Sequence, residues 1–223
     1  MEVLQLHNAV LRFGNKKVLS EVFFTLKTGD ILGIFGRNGC GKSTLLQMIF
    51  GTLKKGTVRL SVNGIAFNPS SNIASQCIAL LPQHPILPRN LLVRDVIPIY
   101  FSEGKKQDSI FYDPLIANIA DKKTGELSLG QARYFEVLLV ANLNHPFLLL
   151  DEPFSLIEPL YKKKLKELLE TIRPKKGIIM TDHYYNDVLD IATQNLLIKN
   201  GKGIPIENAK DLQRLKYLGS SPL

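Results

Sequence analysis

The sequence predicts an α/β fold: a mostly parallel sheet flanked by helices, an antiparallel β portion near the N-terminus and an inserted helical region. Three observations carry that expectation. The apolar run Ile31-Leu32-Gly33-Ile34-Phe35 leads through Gly36-Arg37-Asn38-Gly39-Cys40-Gly41-Lys42-Ser43-Thr44 into Leu45-Leu46-Gln47-Met48-Ile49-Phe50, which is strand, glycine loop and helix in order. From Ser128 onward, strand-like and helix-like segments alternate, the rhythm of parallel strands joined by helices. Between His84 and Leu127 that rhythm stops, and Pro85, Pro88, Pro98 and Pro114 punctuate a stretch without strand character.

In chain order, residues 2–6 alternate and read as a strand. Leu11 to Lys17 reads as a turn carrying one aromatic, Phe13, and Val18 to Lys27 as a second strand centred on Val22-Phe23-Phe24. Thr57–Val62 and Ile65–Phe67 form a hairpin about Asn63-Gly64, the Pro69-Ser70-Ser71-Asn72 stretch is a loop, and Ile78–Leu81 is a short strand stopped by Pro82-Gln83. Helix-like pieces fall near 91–101 and 114–121. Then follow helix 128–142, strand 147–151, helix 157–172, strand 177–181, helix 184–192, strand 195–199 and a helical tail, 207–218. The whole of 1–223 reads as one domain, with 1–83 and 128–223 as core and 84–127 as a helical subdomain.

The loop has the spacing G-x-x-x-x-G-K-S of a phosphate-binding loop, which marks a P-loop nucleoside-triphosphatase core. Gly36, Gly39 and Gly41 let the backbone approach a ligand closely. Its N–H groups then converge on phosphate oxygens, aided by the positive end of the following helix. Lys42 adds a cation for the outer phosphates, and Ser43 offers Mg²⁺ a hydroxyl oxygen. Phe147-Leu148-Leu149-Leu150-Asp151-Glu152 is a buried strand that ends in two carboxylates at the edge where such sheets bind ligands. Asp151 suits Mg²⁺, and Glu152 is placed to polarise an attacking water.

With 45% hydrophobic and 22% charged residues, 223 residues suffice for one well-cored domain. No apolar run reaches bilayer length and no signal core opens the chain, so it is expected in the cytosol. Two cysteines make no disulfide framework; the Cys40 thiol reads as incidental to the phosphate loop, although a helix N-terminus can make a thiol somewhat acidic. The net charge of +8 admits anionic partners. The Lys162, Lys163, Lys164 and Lys166 cluster, however, shares an amphipathic helix with Tyr161, Leu165, Leu168, Leu169 and Ile172, so its lysines should face water. No specific nucleic acid is expected.

The order of these motifs resembles the ATP-binding cassette (ABC) ATPases, the nucleotide-binding subunits of ABC transporters, over nearly the whole chain. The resemblance implies ATP and Mg²⁺ as ligands, with Phe13 stacking on adenine. It makes Gln83 the glutamine that touches Mg²⁺ and the attacking water and senses a transmembrane partner. It makes His183, after Ile178-Ile179-Met180-Thr181-Asp182, the histidine that contacts the γ-phosphate. Leu127-Ser128-Leu129-Gly130-Gln131 stands where the family carries its LSGGQ signature, which closes over ATP held by an opposite subunit. Ser128 and Gln131 also have capping-box spacing, so they open a helix. Two positions depart from the family pattern: Leu129 replaces a glycine, and Glu158 replaces an aspartate.

The resemblance thus implies a catalytic set of Lys42, Gln83, Glu152 and His183, and metal ligands Ser43, Gln83 and Asp151. It further implies a homodimer or heterodimer with ATP sandwiched between cassettes, and hydrolysis that energises transport. Separate permease subunits would dock near Gln83 and 84–127, placing the chain on the cytoplasmic face of the membrane. The rivals are a soluble nucleic-acid or ribosome-associated cassette and a non-hydrolysing regulatory cassette. Only 44 residues separate Gln83 from Ser128, too few for the long coiled coil of DNA-repair members.

Overall fold

A computed structural model describes residues 1–217. The N-terminal third builds an antiparallel sheet from β1 (Val3–Phe13), β2 (Lys16–Leu19) and β3 (Phe24–Lys27), joined later in the chain by the hairpin β5 (Thr57–Val62) and β6 (Ile65–Phe67). β4 (Ile31–Phe35) and α1 (Lys42–Phe50), the expected strand and helix around the glycine loop, lie between them in sequence. Asn63 and Gly64 both have positive φ, 53° and 79°, as the expected two-residue hairpin turn requires.

β1 is longer than its alternation suggested. It pairs Leu6 with Leu60 but Asn8 with Arg59, so His7 is an extra residue, a bulge. Leu4 and Leu6 point inward before it, Ala9 and Leu11 after it. The bulge shifts the phase of the strand by one and keeps both pairs on the core face. Leu11, Arg12 and Phe13 are therefore strand rather than turn, and the turn is Gly14-Asn15. The expected single strand over 18–27 is broken. Between β2 and β3 the backbone leaves β1, and Ser20 N–H donates to Gly201 carbonyl oxygen at 2.8 Å.

The expected loop at 69–72 instead coils into a 3₁₀ turn (Pro69–Ser71) and a helical turn, α2 (Asn72–Ser75), before β7 (Ile78–Leu81). The insertion holds α3 (Val93–Tyr100), α4 (Gly104–Phe111) and α5 (Pro114–Ala117). α4 had no sequence signal because it is polar and buries only Ile110. After it come α6 (Leu129–Asn142), β8 (Phe147–Asp151), α7 (Pro159–Ile172), β9 (Gly177–Thr181), α8 (Tyr185–Leu189), β10 (Gln194–Lys199), β11 (Lys202–Ile206) and α9 (Ala209–Arg214). The tail expected as helix to 218 thus ends its helix at Arg214, and residue 218 lies outside the described residues.

The second sheet has the order β11-β10-β4-β9-β8-β7, parallel throughout except the β10–β11 hairpin. β11 went unexpected because Gly203 and Pro205 interrupt it, and an edge strand tolerates both. β4, β8 and β9 are buried along their full length, as parallel strands covered on both faces must be. One apolar core joins Leu148 and Leu150 of β8 to Phe135 and Leu139 of α6 and to Val93, Ile97 and Ile116 of the insertion. The lysine face of α7 is partly tied down: Lys162 and Lys166 each bind Asp187 of α8 at 2.8 Å.

Candidate functional site

The parallel register ends β4, β8 and β9 together, pairing Ile34 with Thr181 and Asp151 with Thr181. The loops after these strands therefore share one edge of the sheet. This is why residues 36–44, 151–152 and 183 meet although far apart in sequence.

In the phosphate loop Gly36 has φ 155°, and a Cβ there would lie 2.4 Å from Cys40 Sγ. Gly41 has φ 107°, and its Cβ would lie 2.9 Å from Val18. Neither position admits a side chain. Arg37, Asn38 and Gly39 form the exposed crown, while Cys40, Ser43 and Thr44 are half-buried. Gly41 provides no side-chain cap, so the first N–H groups of α1 stay open to an anion. Lys42 is buried and its Nζ donates to the Gly36 carbonyl at 2.7 Å. Burial pushes the Cys40 thiol pKa up, outweighing the Lys42 charge, so the helix N-terminus does not make it acidic.

Ser43 Oγ donates to Asp151 Oδ1 at 3.1 Å, and Thr181 Oγ1 donates to the same oxygen at 2.6 Å. This pair of hard oxygens suits Mg²⁺. Among the described residues no cluster of three or more His, Cys, Asp or Glu is arranged for a metal. Ser43 and Asp151 fit an ion that takes its remaining ligands from phosphate and water, as Mg²⁺ does.

Glu152 is buried, with φ 54°, unusual for a residue with a side chain. Its Oε1 lies 2.8 Å from His183 Nε2, and its Oε2 accepts from Gln83 Nε2 at 2.9 Å. Gln83 thus joins Glu152 rather than the Ser43–Asp151 pair. Asp182, fully buried, accepts from Phe154 N–H at 2.7 Å and Tyr184 N–H at 3.0 Å, fixing the loop after Glu152 against the turn that carries His183. Burial raises its pKa, and those hydrogen bonds pull it back.

Ser128 and Gln131 form the expected capping box: Gln131 N–H donates to Ser128 Oγ at 3.2 Å, and Ser128 N–H to Gln131 Oε1 at 3.0 Å. Neither residue hydrogen-bonds to the phosphate loop among the described residues. Leu129 is 65% exposed and lines a cleft of about 600 Å³ with Gln83, Glu152 and His183. Gly130 is overlaid by Glu158, whose Oε2 would stand 2.1 Å from a Cβ at that position. The Phe13 ring is 46% exposed, not part of the core, and Lys55 Nζ lies 4.6 Å from its centroid.

Sequence reasoning missed Arg133 and Glu136, both buried on α6. Arg133 donates to Pro82 carbonyl oxygen at 2.9 Å, Glu152 carbonyl oxygen at 3.3 Å, Asp151 carbonyl oxygen and Glu136 Oε2. Glu136 Oε1 accepts from Ile86 N–H at 2.8 Å. The available signal was two opposite charges three residues apart on a helix otherwise apolar nearly all round.

A family model described as ABC transporter matches residues 19–155. The chain is 29% identical to the lipopolysaccharide export system ATP-binding protein LptB of Haemophilus influenzae, over 98% of both chains. It is 28% identical to LptB of Escherichia coli K12, again over 98% of each. Among solved structures it superposes on a nucleotide-free ATP-binding cassette from an ABC transporter with TM-score 0.82, at 22% identity, covering 98% of this chain and 96% of that one. No helix among the described residues is long and apolar enough to cross a membrane.

Proposed function

The chain belongs to the ABC transporter family as an ATP-binding and ATP-hydrolysing subunit that energises membrane transport, and on that premise we propose how its residues divide the chemistry. The triphosphate lies along the N–H groups of Gly36–Thr44 and the open N-terminus of α1. Lys42 exchanges the Gly36 carbonyl for the outer phosphates and stabilises charge as the phosphoryl group transfers. Ser43 and Asp151 would hold Mg²⁺, which would supply positive charge to offset that of the phosphates. Glu152 orients the attacking water and takes its proton; the oxygen bonds to the γ-phosphorus as its bond to the β-bridging oxygen breaks, giving ADP and phosphate. His183 and Gln83 hold the carboxylate in place, and His183 also reaches the γ-phosphate. Phe13 offers its exposed face to adenine.

The observation that carries this reading is the meeting of Glu152 with both Gln83 and His183 beside the Ser43–Asp151 pair. Ser128 and Gly130 face the ATP of a second cassette, so the active form is a head-to-tail dimer. Similarity to LptB, the ATP-binding protein of an export system, across 98% of both chains supports docking on membrane-spanning permease subunits. Docking uses the Gln83 loop and 84–127, on the cytoplasmic face.

Sedimentation equilibrium of Glu152→Gln with saturating MgATP tests the dimer; the expected result is a dimer, and a persistent monomer sinks the sandwich. Phosphate release by the wild-type chain with its membrane partners tests hydrolysis, and its absence sinks the catalytic assignment.

A further inference from the structure

Arg133 and Glu136 occupy positions where α6 otherwise buries apolar side chains such as Phe135 and Val137. Burying two charges is costly, and as packing alone apolar residues would serve at least as well. What distinguishes the pair is where its remaining bonds go. One guanidinium nitrogen holds Pro82 carbonyl oxygen at 2.9 Å and Glu136 at 3.2 Å. The other holds the carbonyl oxygens of Asp151 and Glu152. The second oxygen of Glu136 takes Ile86 N–H at 2.8 Å. Pro82 and Ile86 bracket Gln83-His84-Pro85, and residues 151 and 152 carry the metal ligand and the base. The planar fork of arginine keeps these partners at fixed spacing.

We propose that Arg133 and Glu136 are a positioning pair that joins the Gln83 loop, the backbone of Glu152 and the signature helix into one unit. Displacement of the loop is then passed to the carboxylate that orients water. This rests on the role given above to Glu152 and on docking at the Gln83 loop. Neither residue touches nucleotide; both act through the backbone they hold.

The test uses the full chain with Glu136→Ala. Hydrogen–deuterium exchange should quicken by about tenfold at residues 83–87 while Val137–Val140 stay protected. In steady-state turnover kcat should fall about tenfold, with KM for ATP within about twofold. In a Gln83→Ala background the same change should add less than about twofold, because both act on one loop. Arg133→Lys, which keeps the charge but loses the fork, should reproduce the fall in kcat. Unchanged exchange at 83–87, or additive effects with Gln83→Ala, overturns the proposal. If Glu136→Ala does not fold, Glu136→Gln keeps an acceptor for Ile86 but loses the charge; a kcat equal to wild type then overturns it. If the wild-type chain hydrolyses no ATP, the catalytic reading fails, and the exchange experiment still decides the pair.

Discussion

Two helices in this chain carry the N-termini to which phosphate binding was assigned above, and they are built in opposite ways. α1 begins at Gly41 with no side-chain cap, and Lys42 beside it is buried against a loop carbonyl. α6 begins at Ser128 with both bonds of a capping box formed, and Leu129 beside it is largely exposed. An uncapped N-terminus keeps unsatisfied donors that a ligand can complete. A capped one is already stable in its own chain. α1 is therefore a site waiting within one molecule. α6 is a finished helix end whose Ser128 hydroxyl, having accepted from Gln131 N–H, still has a proton to donate. The first half of the site should thus answer to changes in binding, and the second to changes in association.

Lys42→Ala should break the first half most severely, lowering turnover by about 10³-fold, measured as phosphate release. Gly130→Ala strikes the second half. Its methyl group would meet Glu158 and Tyr161 at 2.1 and 2.5 Å. Turnover should fall by about 10²-fold while ATP binding to the single chain, followed by calorimetry, holds within about twofold; a matching loss of binding would erase the distinction. Phe13→Ala should raise the Kd for ATP about tenfold, and Phe13→Tyr should restore it. Leu129→Gly should change turnover less than about threefold, since its exposed side chain is no phosphate ligand. The smallest effect is chemical. Burial holds the Cys40 thiol above its ordinary pKa, so thiolate is scarce below that value and grows as pH rises through it. Iodoacetamide at pH 8 should label Cys40 more slowly than a free cysteine, with the rate climbing above that pH, and ATP should slow it further.

What could be read from the sequence was what is local. The phosphate loop spans nine residues, the capping box four, and the apolar strand ending in Asp151-Glu152 six. Their spacing alone carries the geometry, and the structure keeps all three. The β1 bulge escaped because one extra residue at His7 reverses the inward phase. β11 escaped because glycine and proline masked an edge strand. Arg133 escaped for a different reason. Its partners outside α6 are backbone groups 51, 18 and 19 residues away, and backbone carbonyls leave no mark in a sequence. That Phe13 lies outside the core also needed the fold, because an aromatic residue is as readily buried as exposed.

The backbone at Glu152 has one more consequence. Its φ of 54° lies in the region where glycine and asparagine rest easily and a glutamate does not. Such a conformation costs on the order of 1 kcal/mol or more, and it persists only where neighbours over-determine it. Here Arg133 grips the carbonyl, Thr181 accepts the N–H at 2.9 Å, and His183 and Gln83 secure the side chain. A lineage selected only for a sturdy fold would drift toward glycine at 152. On the role proposed for Glu152, selection for turnover holds glutamate there against that drift, so at this residue stability and activity pull in opposite directions.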